Sequence, residues 1–242
     1  MNSSFFTQGP RGELLIENPA FSAGCVARAA NRIDYNASKV EIRSKEKSLV
    51  SEITGVQPAR IFFLDQDHKD AIVDIESPAH ADQYCAGVAD ALTTALRGFV
   101  LVIRTADCVP VLIHDGKRNV IAAVHSGWRS SALDICGKTV RHMVSKYGTD
   151  PADCSAYVLP AIGVDSYQVS ADVAAQFPGC VVEKPDGLNL NLNCSVGDSI
   201  RRAGIPNRSV FYSGFCTFEH NSLFFSHRKG DSARNLNYIV LL

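Results

Sequence analysis

A layered α/β (α+β) sandwich with a mixed β-sheet, built as a single domain across residues 1–242, is the fold class that this sequence predicts. Three observations predict it. Short β-branched apolar runs recur along the chain, and only a few segments between them show the three- and four-residue apolar spacing of a helix. Strand-like and helix-like segments alternate irregularly, as expected for packed layers rather than a regular βα repeat. Finally, no repeat, low-complexity linker or shift of composition divides the chain, and 242 residues suffice for one sizeable core.

Taken in order, the strand-like runs are residues 14–16, 61–64, 71–75, 99–103, 109–113, 120–124 and 157–159, with 210–212 and 223–225 near the C-terminus. Each is rich in Val, Ile or aromatic residues and too short for a helix. Four helices are expected. The first spans about 44–54. The clearest spans 130–147, where Leu133, Cys136, Val140, Met143 and Tyr147 recur at helical steps before Gly148. A third, 170–177, opens on a Ser170 cap and closes at Pro178 and Gly179, and the fourth, about 193–203, ends at Gly204.

Composition narrows the class of partner. Lys and Arg (24) nearly balance Asp and Glu (25), so the net charge of −1 argues against a general nucleic-acid binder and for a small-molecule partner. No apolar run approaches a membrane span, and the N-terminus lacks a basic stretch followed by a long apolar one, so a cytoplasmic location is expected. The eight cysteines have no short repeated spacing and read mostly as buried thiols. Nothing in the sequence indicates an oligomeric state.

Chemistry concentrates in residues 99–129. One apolar run ends in Thr105-Ala106-Asp107-Cys108, and another ends in Val124-His125-Ser126-Gly127-Trp128-Arg129. Strand ends can present side chains rigidly into a pocket. With His68 upstream, Cys108 and His125 form a thiolate and two imidazoles, the donor set of a soft transition metal with a position left open. By spacing alone, a buried thiol and core histidines explain the same residues.

The strings TADCVPVLIHD, AAVHSGWRSS, LPAIGVDSYQVS and CTFEHNSLFFSHRKGD, in this order, resemble the YfiH family of multicopper-polyphenol-oxidase-type laccase-domain proteins, also described as purine nucleoside phosphorylases. The resemblance implies that Gln66-Asp67-His68, Cys108 and His125 carry the metal ligands, with Zn2+ as the usual metal and Cu2+ as the alternative. It also implies a fold shared with bacterial toxin cysteine–histidine enzymes. The implied activity is phosphorolysis of adenosine, inosine and methylthioadenosine, together with hydrolytic deamination of adenosine. A bound zinc ion would supply a Lewis acid that activates water near neutral pH.

Phosphate is best held by guanidinium groups, which makes Arg28, Arg129, Arg228 and Arg234 candidates, with Arg28 and Arg129 first. Asp107 is a candidate for proton transfer, or for holding a loop or orienting a ligand histidine. His227 stands where the family commonly has tyrosine and is a candidate substrate contact. Trp128 reads as a core plug in preference to a stacking ring, and His114 as structural. The chain departs from the family pattern after Arg28 (Ala-Ala-Asn-Arg-Ile-Asp for a glycine-rich turn), at Lys69 (usually glycine) and at Asp165-Ser166 (usually a cysteine pair). Two other functions fit the residues: a copper-dependent polyphenol oxidase, disfavoured by only seven dispersed histidines, and a metal-free hydrolase or amidase using Cys108 as nucleophile and His125 as base.

Overall fold

The computed structural model describes residues 5–77 and 85–242. The elements in chain order are β1 (Phe6–Gln8), β2 (Leu14–Ile16), β3 (Phe21–Val26), α1 (Lys39–Thr54), β4 (Ile61–Phe62), β5 (Ile72–Asp74), β6 (Ala91–Thr94), β7 (Val100–Thr105), β8 (Val109–Asp115) and β9 (Val120–Ser126). They continue with α2 (Trp128–Ala132), α3 (Ile135–Tyr147), β10 (Cys154–Val158), β11 (Gln168–Val169), α4 (Ala171–Ala174), β12 (Val181–Lys184), β13 (Gly187–Leu190), α5 (Leu192–Arg202), β14 (Val210–Tyr212) and β15 (Asn235–Leu241).

Two six-stranded mixed sheets carry the architecture, ordered β1-β2-β3-β15-β7-β4 and β14-β10-β8-β9-β6-β5, with a small third sheet, β11-β13-β12. Most neighbours are antiparallel, whereas β4 pairs parallel with β7, β5 with β6 and β14 with β10. Side-chain alternation sorts the core into three layers. Leu101, Ile103 and Ile239 of the first sheet meet Leu92, Leu112, Ile121 and Tyr157 of the second between the sheets. Val100, Val102, Tyr238 and Val240 point the other way, onto Val50 of α1. On the far face of the second sheet, Val109, Val111 and Val124 pack against Ile135, Val140 and Met143 of α3 and Val196 and Ile200 of α5. The result is helix, sheet, sheet, helix, the layered sandwich expected of the sequence.

Because β7, β8 and β9 are covered on both faces, they are apolar at almost every position, and this is why they stand out as runs. Some elements differ from expectation. The 130–147 segment is two helices, α2 and α3, broken where Asp134 adopts φ 63° and places its carboxylate on Ser199 Oγ (2.5 Å) and Arg141 (2.7 Å). Helix α1 starts at Lys39, capped by the Ser38 side chain on the N–H of Glu41. The expected helix at 170–177 is helical only over α4, and its last residues are turns.

Residues 223–225 are a turn leading into extended chain, not a strand. The buried Asn235 side chain occupies the backbone groups of Phe225, accepting from its N–H and donating to its carbonyl (both 2.9 Å), so no strand partner is needed. Cys180 and Cys194 form a disulfide rather than remaining thiols, because the start of β12 and the first turn of α5 bring their Cα atoms to 5.7 Å. Cys25, Cys136, Cys154 and Cys216 are buried and free. Among the described residues, no helix is long and apolar enough to cross a membrane.

Candidate metal centre

The centre forms where the chain crosses from one sheet to the other. Strand β7 ends at Thr105 and β8 begins at Val109, so the short link between them carries Cys108 along the seam between the sheets. His125 is the penultimate residue of β9 and lies opposite Pro110 in the β8–β9 register, two residues beyond Cys108. His68 comes from the loop between β4 and β5. The ligand atoms of His68, Cys108 and His125 all lie within 4.8 Å of one another, and the two imidazole rings meet edge to face with centroids 4.8 Å apart.

The loop bearing His68 is tied down on both sides. Gln66 behaves like one more strand residue, its side-chain amide donating to the Arg104 carbonyl and accepting from the Arg104 N–H (both 2.8 Å). Beyond it, the fully buried Asp90 accepts the N–H groups of Asp67 (3.3 Å) and Lys69 (2.8 Å). His68 between them has φ 61°, the left-handed region that non-glycine residues rarely occupy, so these bonds hold a conformation that local preference disfavours. The other Asp90 oxygen accepts His125 Nδ1–H (2.5 Å).

Gly127 supplies the remaining space. Its φ of −77° and ψ of 173° suit any residue, so no turn demands glycine here. A Cβ at this position would lie 3.0 Å from both Cys108 Sγ and His68 Cδ2. The donor set is therefore packed around a glycine-sized gap. A thiolate, two imidazoles and room for a further ligand fit a tetrahedral site of the zinc type.

Electrostatics favours the ligating form of the thiol. Burial pushes Cys108 up, but the charge on His125 and the hydrogen bonds from His125 and His68 outweigh it and bring the thiol down to about 6. Burial lowers His125, and the opposing charge and hydrogen bonds of Cys108 and Asp90 prevail, raising it to about 9.

The three residues open onto a cleft of about 660 Å³ whose other walls include Tyr35, Glu46, Arg104, His227 and Arg234. His227 and Arg234, both candidate substrate contacts in the sequence, line this cleft. The other arginines are placed elsewhere. Arg28 lies over the Phe225 ring and pairs with Asp231 (2.7 Å), which also accepts from Asn221 and the Ser226 N–H. Its position therefore holds the segment that carries His227 and Arg234. Arg129 is exposed and lies over the Trp128 ring, and Trp128 packs against the core beneath α3. Arg228 covers Tyr167 and donates to the Gln168 carbonyl (3.2 Å).

Both Asp107 carboxylate oxygens are engaged, one by Thr217 Oγ1 (2.6 Å) and the other by the Arg228 N–H (2.7 Å). Asp107 itself has φ 87°, so the backbone turns between it and Cys108 and it takes the loop-holding position. His114 is buried against Phe21, and burial holds its pKa down. Lys69 reaches back to Asp67 (2.7 Å), and Asp165 pairs with Lys184 (2.7 Å). Asp90 and the cleft residues Tyr35, Glu46 and Arg104 were not singled out in the sequence. The one available signal for Asp90 was an acid in the otherwise small and apolar stretch Ala86-Gly87-Val88-Ala89-Asp90-Ala91-Leu92.

Residues 27–242 match the family described as multi-copper polyphenol oxidoreductase laccase. The chain belongs to this family. Its laccase-domain relatives include a protein from Corynebacterium glutamicum named purine nucleoside phosphorylase, 29% identical over 212 residues that cover 86% of this chain and 85% of that one. A Streptomyces coelicolor protein of the same name is 32% identical over 200 residues, covering 81% of each chain. Among solved structures, the hypothetical protein YfiH of Bacillus licheniformis superimposes with a TM-score of 0.89 at 27% identity, covering 98% of this chain and 99% of that one. YlmD of Geobacillus stearothermophilus shares the fold at a TM-score of 0.88, 24% identity and 98% coverage of each chain.

Proposed function

We propose that this laccase-domain protein is a zinc-dependent purine nucleoside phosphorylase that also deaminates adenosine. The observation that carries the reading is the convergence of His68, Cys108 and His125 on one wall of a cleft large enough for a nucleoside, in a chain whose relatives are named for that activity. These three residues would hold the metal. When bound, it would supply a Lewis acid to the cleft.

The protein's own residues account for the remaining needs of phosphorolysis. An oxygen of phosphate attacks the ribose carbon C1′ as the bond to the purine nitrogen breaks, so the phosphate must be held and the leaving base must gain a proton. Arg234, with one guanidinium nitrogen committed to the carbonyls of Asp231, Ser232 and Ala233, offers a fixed cation on the cleft wall for phosphate. His227 lines the same cleft and in this reading supplies the proton. Arg28 acts indirectly, through Asp231, on the segment bearing both.

A metal-free cysteine nucleophile draws support from the lowered thiol and raised imidazole. The second imidazole, His68, held in a disfavoured conformation beside the same sulfur, is superfluous to that mechanism and supports the metal reading instead. A several-copper oxidase needs histidine-rich clusters, and among the described residues a single potential metal-binding group contains histidine.

The test is incubation of purified protein with adenosine and phosphate, with nucleobase and nucleoside products separated by chromatography. Adenine formation that requires phosphate and disappears in Cys108→Ala is the expected result. No adenine, hypoxanthine or inosine above the Cys108→Ala background would overturn the proposal.

A further inference from the structure

We propose that Asp90 is a positioning residue for the metal centre, setting two of its three ligands through one buried carboxylate. This goes beyond the ligand set and rests on the reading of His68, Cys108 and His125 as a metal site. Asp90 precedes β6 and is wholly inaccessible to solvent. A buried carboxylate persists only where its lone pairs are satisfied, and the partners here are unusual in all belonging to the two ligand-bearing segments. One oxygen takes Nδ1–H of His125, and the other takes the N–H groups that flank His68, from Asp67 and Lys69. The Asp90 main chain repeats the pattern, its carbonyl accepting the His125 N–H (2.8 Å) and its N–H donating to Ala71 (3.1 Å), just past the His68 loop.

Two consequences follow. With Nδ1 donating to the carboxylate, His125 presents the lone pair of Nε2 as its remaining nitrogen toward Cys108 and His68, so Asp90 selects the ligating tautomer. The two amides gathered on the second oxygen keep the backbone around His68 in its left-handed turn, which fixes where that imidazole stands. A single group thereby couples two ligands that are 57 positions apart in the chain, and loss of its charge should loosen both. An asparagine fills the same space. It cannot accept at both ends, because one end of the amide is a donor that would face either His125 Nδ1–H or the two backbone N–H groups.

The experiment uses cobalt(II) alone as the probe, added to metal-free full-length protein. Wild type is expected to show a thiolate-to-cobalt absorption band from Cys108 together with visible bands of a four-coordinate ion. Asp90→Asn is expected to bind cobalt about 10- to 100-fold more weakly, with shifted visible bands. Asp74→Asn, which removes a carboxylate remote from the centre, controls for general loss of stability and should leave cobalt affinity unchanged. Equal affinity and identical spectra for wild type and Asp90→Asn would overturn the assignment.

Should Asp90→Asn fail to fold, the wild type still decides. In zinc-loaded protein labelled with 15N-histidine, His125 is expected to be ligated through Nε2 and to retain a slowly exchanging Nδ1 proton. Ligation through Nδ1, or rapid exchange of that proton, would overturn the proposal. Cobalt binding is read without any nucleoside, so a wild type that binds metal but forms no nucleobase would count against the proposed activity while leaving the role of Asp90 standing.

Discussion

Replacing Gly127 by alanine adds one methyl group at a backbone geometry that alanine adopts without strain, so its cost comes from contact alone. The new Cβ would stand 3.0 Å from Cys108 Sγ and 3.0 Å from His68 Cδ2. Non-bonded carbon contacts are comfortable at ~3.5–4.0 Å, so each ligand side chain must retreat by about 0.5–1 Å. In the metal-free protein, the side chains can swing aside. Once an ion fixes both of them, they cannot, and the overpacking cost of about 1–3 kcal/mol falls on the loaded state. That corresponds to roughly 5- to 150-fold weaker metal binding, since about 1.4 kcal/mol is tenfold. The assay is competition for zinc between protein and a chromogenic chelator, paired with thermal unfolding of the metal-free form. Gly127→Ala should lose zinc affinity while the metal-free melting temperature moves little. Zinc affinity equal to wild type, or a loss confined to the stability of the metal-free protein, would refute the view that this glycine serves clearance around the ligands.

Four further outcomes are expected. In metal-loaded protein, Cys108 should resist alkylation at pH 7.5 and become reactive after chelation, read by mass spectrometry; equal labelling before and after chelation would favour a free nucleophile. Burial raises Asp74, but hydrogen bonds from Thr93, His142 and Tyr147 outweigh it and hold its pKa below the usual 3.8. Its stabilising contribution is therefore complete above pH 3.8 and is lost as the pH falls through the depressed folded value. Denaturant titrations should show Asp74→Asn less stable than wild type by about 1.5–3 kcal/mol at pH 7, with the difference closing in acid. Asn235→Ala, which strands the buried N–H and carbonyl of Phe225, should cost about 1–3 kcal/mol and raise KM for phosphate by loosening the segment between His227 and Arg234. Leu101→Ala, at a fully buried position between the sheets, should lower stability by about 2–5 kcal/mol without changing the cobalt spectrum of the folded protein.

Residues whose surroundings are uniform were easy to read from sequence. Strands β7, β8 and β9 are enclosed on both faces, and enclosure leaves its mark at every position. Strand β15 is just as central, pairing with β3 on one side and β7 on the other, and although residues 238–242 form an apolar run, Asn235 and Asn237 shorten it at its start and it is not among the strands read from the sequence. Those asparagines satisfy groups outside their own strand, Asn235 ten positions back at Phe225 and Asn237 on the distant Thr105 (3.0 Å), so the strand's own pattern carries no trace of their partners. The apolar run at 223–225 misled for the converse reason. Phe224 and Phe225 are buried, but Leu223 and Phe224 close a turn onto the His220 carbonyl and the backbone groups of Phe225 are taken by the Asn235 side chain.

The arginines illustrate the limit for the site. The sequence ranks Arg28 and Arg129 ahead of Arg234 as phosphate contacts, whereas the fold commits Arg28 to Asp231 and leaves Arg234 on the cleft wall.

What the sequence by itself determined was the layered fold class, the family motifs and the identity of the sulfur and two imidazoles at the ends of loops and strands. These are properties of residue type and local order. Tertiary structure alone decided that the three would meet, that Asp90 would brace two of them, that Gly127 would be a clearance and that Asp107 would hold a loop. Each of those depends on directions of side chains brought together from separate strands of two sheets, and local sequence does not encode direction across a fold.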